Sequence, residues 1–173
     1  LPELLDRTGV RETVLVGHSD GASIALLAAS MLDSRIRGVV SEAAHVFVEA
    51  VSIASIETAV AAYRTGDLRE RLASFHGECV DSAFRGWANA WLDPDFEAFH
   101  IEGYLRAVTC PVLAIQGSDD AYGTPAQLEA IAAAVSGPVS TMLLPDCGHS
   151  PHKDARETVL QAAGDLIRVA LAP

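Results

Sequence analysis

The sequence is poor in cysteine, in basic residues and in long apolar runs. Its three cysteines, Cys79, Cys110 and Cys147, form no C-x-x-C pair. That speaks against a zinc knuckle or a redox motif and fits free thiols in a reducing compartment. No uninterrupted apolar run reaches the length of a membrane span. No basic-then-apolar leader opens the chain as written, so a cytoplasmic location and no membrane association are expected. Lys and Arg number 12 against 23 Asp and Glu, a formal net charge of −11. Such acidity argues against nucleic acid or anionic lipid as a partner. There is no internal repeat, no low-complexity tract and no phosphate-cradling glycine loop. What is present is 173 residues, half of them hydrophobic, enough for one domain with a sizeable core.

The informative segment lies near the start. Thr13-Val14-Leu15-Val16 leads into Gly17-His18-Ser19-Asp20-Gly21, and Ala22–Ala29 behind it reads as a buried helix. In a strand-to-helix turn of the form G-x-S-x-G, the glycines permit a sharp bend and lift the serine hydroxyl clear of the sheet. A nucleophilic serine needs a base, and the base an orienting carboxylate. Two later strand-like runs supply them. Pro111–Ile115 ends in Gln116-Gly117-Ser118-Asp119-Asp120, and Val139–Leu144 ends in Pro145-Asp146-Cys147-Gly148-His149. Acid and histidine thus fall just past strand C-termini, the edge where sites form in open parallel sheets. Asp119 and Asp120 compete for the acid role, and Asp is also a common turn residue there. His149-x-x-His152 has loose metal spacing but no third ligand nearby, so no metal is expected and His152 reads as structural or solvent-facing.

These three segments, in the order Ser, Asp, His, resemble the signatures of α/β-hydrolase-fold enzymes. The resemblance is closest to the bacterial branch of capped esterases and carbon–carbon bond hydrolases, and it covers nearly the whole chain. It implies Ser19 as nucleophile, His149 (following Gly148) as base and Asp120 (three residues after Gly117) as the acid. It implies the Asp20 N–H as one oxyanion donor and no organic cofactor. A serine at the elbow sets the chain apart from dehalogenase and epoxide-hydrolase members, which carry aspartate there. In the family, several strands and a loop with the second oxyanion donor precede the helix read here over Pro2–Arg7. By that comparison roughly a third of the protein, the N-terminal part of the sheet, is expected to be missing. The first strand is then expected to be an unprotected apolar edge.

The coarse order is strand (13–17), helix (20–32), strand (37–42), helical insertion, strand (111–116), helix (125–135), strand (139–144), helix (154–171). This predicts an α/β fold with a parallel sheet, its core formed by residues 1–44 and 109–173. The segment 45–108 is too long for a simple crossover and reads as helical over 53–64, 68–75 and 80–91. Phe84, Trp87 and Trp91 share one face, and Asp93-Pro94 ends that helix. The family resemblance makes this insertion a cap, whose aromatics are either a substrate wall or the cap's own core. His45, just past the second strand, either touches substrate or fixes the base of the cap. Cys147 either lines the site or is a small buried core residue.

The expected activity is acyl transfer from an ester-like small molecule to water. The alternatives are hydrolysis of a carbon–carbon bond in aromatic ring-cleavage products by the same triad, and a non-catalytic binding protein on the same fold. Oligomeric state is not legible in the sequence.

Overall fold

The computed structural model describes residues 1–31 and 34–172. Helix α1 (Pro2–Thr8) closes on Gly9 in the left-handed conformation, φ 67°. The chain then runs through β1 (Thr13–His18), α2 (Asp20–Ser30) and β2 (Ile36–Glu42). Three helices follow: α3 (Ala50–Thr65), α4 (Leu68–His76) and α5 (Val80–Trp91). The remainder is α6 (Glu102–Leu105), β3 (Val112–Gly117), α7 (Ala126–Ala134), β4 (Val139–Leu144), α8 (Pro151–Asp154) and α9 (Arg156–Ala170). The predicted helix end at Leu32 lies outside the described residues.

The strands form one parallel sheet in the order β1-β2-β3-β4. Parallel neighbours require crossovers, and right-handed crossovers put consecutive connections on one face. β3 is buried along its whole length, as a central strand covered on both faces must be. Side chains alternate between the faces. Val40, Leu113, Ile115 and Leu144 cluster with Val159, and Leu166 of α9 packs against them. Val39, Val112 and Ala114 point to the opposite face and are equally buried. β1 is an edge strand, and its Val16 is 59% exposed.

The chain divides into two units, Leu1–Phe47 with His100–Pro173, and Val48–Phe99. The second unit covers residues 48–99 of the 45–108 segment. Residues 100–108 lie with the sheet because Leu105 and Val108 are fully buried there, and the Ile101 N–H donates to the Val46 carbonyl at 2.8 Å. The predicted terminal helix is α9, and a short helix that periodicity did not give, α8, precedes it, set off by Ala155 at φ −129°.

The helical unit has its own interior. Val80, Phe84, Ala88 and Trp91 form the buried face of α5, while Trp87 is only half-buried. Phe84 stacks on Tyr63 of α3 at 3.8 Å between ring centroids, and Trp91 meets Phe96 edge-to-face at 5.1 Å. Core is thus what these aromatics visibly form. One ion cluster ties the three helices together. Arg69 of α4 clamps Asp81 of α5 through Nε (3.1 Å) and Nη2 (2.7 Å), and the Tyr63 hydroxyl donates to the same carboxylate at 2.8 Å.

The Arg69 hydrogen bonds, then that from Tyr63, hold Asp81 at a pKa of about 2. A carboxyl depressed in the folded state contributes stability above its unfolded pKa and loses it as pH falls through the folded value. The stability gap between the parent and Asp81→Asn should therefore be constant at neutral pH and close between about pH 4 and pH 2. Urea unfolding across that range tests this, and a gap that does not narrow would show that the clamp is not linked to folding.

Candidate active site

All four strands end on one side of the sheet, and their C-terminal exits carry the site. The ladders continue past the strands: the Ser19 N–H donates to Glu42 O, the Ala43 N–H to Ile115 O and the Ser118 N–H to Leu144 O, each at 2.8 Å. Three of the four exits contain a non-glycine residue at positive φ, namely Ser19 (55°), Ala43 (50°) and Asp146 (52°). Such residues persist where the surroundings over-determine them, and they concentrate at functional sites.

Ser19 sits between β1 and α2 with φ 55° and ψ −125°. The turn closes because Gly17 has no side chain. A Cβ there would lie 2.7 Å from the Ala22 Cα. A Cβ on Gly21 would meet nothing among the described residues, so of the two motif glycines only the first is required by contact. Asp20 opens α2, so its N–H belongs to the helix's first turn, where the dipole favours negative charge.

The sheet brings the three distant residues together. Ser19 Oγ lies 2.9 Å from His149 Nε2, and His149 Nδ1 lies 2.9 Å from both carboxylate oxygens of Asp120. With Nδ1–H donating to Asp120, Nε2 is left to accept from the serine hydroxyl. The Asp120 side chain is fully buried. Burial alone would raise its pKa. The hydrogen bond to His149, the 2.8 Å bond from the Tyr122 N–H and the nearby imidazoles outweigh burial and hold the carboxyl below its usual range. Asp119 points elsewhere: it is exposed and accepts from the Ser118 hydroxyl at 2.9 Å.

The sequence motifs did not assign a role to Gln116 or Tyr122. Gln116, buried at the end of β3, donates through Nε2 to Asp120 Oδ2 (2.5 Å) and to the Gly123 carbonyl (3.2 Å), bracing the acid loop. The Tyr122 ring lies 4.7 Å from that of His149. A Cβ on Gly117 would fall 2.6 Å from the Cys147 carbonyl carbon, so the acid and base loops touch backbone to backbone. Cys147 is buried in the core, and burial raises its pKa.

His45 is buried with its ring 5.9 Å from that of His149. Its N–H donates to Ser23 Oγ at 3.0 Å, its carbonyl accepts from that hydroxyl at 2.7 Å, and its Nε2–H donates to Tyr122 O at 3.1 Å. Burial lowers its pKa, so the ring is held neutral. His152 pairs with Glu42 at 3.0 Å. No cluster of three metal-ligating side chains occurs among the described residues, and no described helix is long and apolar enough to cross a membrane.

The strained turn makes a measurable difference between two substitutions that both remove the hydroxyl. Ser19→Gly should be more stable than Ser19→Ala by about 1 kcal/mol, because glycine alone adopts this φ without strain. Equal urea midpoints would show that the turn stores no strain.

No curated protein matches the chain. Solved structures share its fold at low identity. A serine hydrolase involved in carbazole degradation is 16% identical with a TM-score of 0.69 over 91% of this chain and 64% of its own. The meta-cleavage product hydrolase of Pseudomonas fluorescens IP01 is 14% identical (TM-score 0.70; 96% of this chain, 68% of that one). A thermophilic esterase from Thermogutta terrifontis is 22% identical (TM-score 0.64; 96% and 69%). The chain thus spans under two thirds of the length of the first of these and slightly more of the other two. The Alpha/beta hydrolase family matches residues 1–162, and the chain, with its parallel sheet and serine elbow, belongs to that family.

Proposed function

We propose that this chain carries the site of a serine hydrolase that cleaves a carboxylic ester-like bond. The observation that carries the reading is the unbroken Ser19–His149–Asp120 arrangement, with both junctions at 2.9 Å. Ser19 Oγ attacks the carbonyl carbon while His149 Nε2 takes its proton, giving a tetrahedral oxyanion. The Asp20 N–H, at the positive end of α2, donates to that oxyanion. Collapse breaks the bond to the leaving group, which receives the proton from His149, and leaves an acyl-serine. Water then attacks the acyl carbon, its proton passing to His149. Release of the acid returns that proton to Ser19. Asp120 holds the imidazole in the required tautomer and stabilises its cation.

Cleavage of a carbon–carbon bond by the same residues is the second reading. It is favoured by the fold likeness to a meta-cleavage product hydrolase. Parallel assays with a short-chain aryl ester and a ring-cleavage diketone separate the two.

Fluorophosphonate treatment of the folded chain, followed by intact-mass analysis, should give one adduct that Ser19→Ala abolishes. Labelling should also be lost in His149→Ala; an unchanged rate in that variant would remove the histidine from the mechanism. No adduct on a folded sample, or an adduct that survives Ser19→Ala, would overturn the assignment of Ser19.

A further inference from the structure

Glu42 is a buried carboxylate at the last position of β2, beside the triad and outside it. Burying a charge without partners costs several kcal/mol, so its partners show what it is held by. Its Oε2 accepts twice from one residue, from the His152 backbone N–H and from His152 Nδ1, each at 3.0 Å. Its own backbone carbonyl accepts from the Ser19 N–H at 2.8 Å. A single residue is thus bonded on one side to the nucleophile's backbone and on the other to the turn that follows the base.

The connection continues to His149. The His152 ring meets that of His18 edge-to-face at 4.8 Å between centroids. His18 is the register partner of Glu42 across β1 and β2. Its Nε2–H donates to the His149 carbonyl at 2.5 Å. Burial, the largest effect, lowers the pKa of His18, and the bond to the carbonyl requires a proton on Nε2. From the other side, Asp154 accepts from the Gly148 N–H at 2.9 Å. The backbone on both sides of His149 is therefore tied down, while its ring is left to Ser19 and Asp120.

We infer that Glu42, acting through His152 and His18, is a positioning residue that sets the separation of Ser19 and His149. The inference rests on the hydrolase reading for its effect on rate, but its structural content is separate. Removing one partner of a buried polar pair costs stability whatever the pair is for, so the comparison is made at matched fraction folded, where a pair kept only for packing would tolerate Glu42→Leu or His152→Ala without loss at the site. A positioning pair would not, because small displacements of reacting groups cost large factors in rate.

The test uses the whole chain with His152→Ala, His152→Asn and Glu42→Leu. The asparagine amide offers a donor where His152 Nδ1 stands, so it should restore the bond to Glu42. Ser19 fluorophosphonylation should slow about tenfold in His152→Ala and Glu42→Leu and recover in His152→Asn, at matched fraction folded. A second readout needs no reactivity: the NMR resonance of the His149 Nδ1 proton, bonded to Asp120. It should move in His152→Ala and return in His152→Asn. Unchanged labelling together with an unmoved resonance would overturn the inference. If Ser19 of the parent takes no label, the hydrolase reading fails, and the resonance alone decides whether Glu42 positions His149: movement and rescue support it, no movement overturns it.

Discussion

The contact on which the site depends is one of backbone against backbone, at the junction of β1 and α2. Gly17 packs so closely on Gly21 and Ala22 that no side chain fits between them. The helix can start there only if the intervening residue turns into a backbone region that L-residues avoid, and Ser19 takes that position at φ 55°. The hydroxyl is aimed by this constraint before any partner is considered. A second contact of the same kind, Gly117 on Cys147, joins the acid loop to the base loop. These two close approaches locate Ser19, Asp120 and His149 against a common sheet edge, where strand register limits their movement.

Polar burial at this edge is extensive, and its carboxylates are paired. Two carboxylates, Asp120 and Glu42, are buried, and each meets a histidine at about 3 Å. Two fully buried amides brace the loops between them. Gln116 holds Asp120 and Gly123, and Gln127 accepts from the Val46 N–H at 2.8 Å while donating to the Phe47 carbonyl at 3.1 Å. In a low-dielectric environment such bonds are strong when complete and costly when broken. Rigidity at the strand ends and a precise hydrogen-bond geometry are thus two aspects of the same packing.

The helical unit is organised on a different principle. Its interior is aromatic, with stacked and edge-to-face rings from Tyr63, Phe84, Trp91 and Phe96. Its helices are tied by the Arg69–Asp81–Tyr63 cluster. The face that periodicity assigned to Phe84, Trp87 and Trp91 is in fact Val80, Phe84, Ala88 and Trp91. Spacings of three and seven describe a helix's stripe only coarsely, and packing against α3 selected the neighbouring positions.

Local chemistry in the sequence was enough for the strands, most of the helices and the candidate residues Ser19 and His149. β-branched runs marked all four strands, and glycine-containing turns marked the exits of β1, β3 and β4. The order of Ser19, Asp120 and His149 behind those strands was legible because each strand-exit motif is contiguous. Other features were not. The choice of Asp120 over its neighbour Asp119 rested on family resemblance, and the structure brings only Asp120 to His149. The short helix α8 ends in Asp154, whose carboxylate accepts from the Gly148 N–H of the base loop, a bond that helical periodicity cannot register. Gln116 and His18 lie inside the quoted segments without being singled out by them, Glu42 lies in none, and the histidine partners of Glu42 and His18 are 110 and 131 residues away. Sequence patterns report what a residue and its near neighbours demand, whereas sheet register decides which distant groups share an edge. That is why the candidate residues Ser19 and His149 could be read from the chain, and the groups that hold them in place only from the fold.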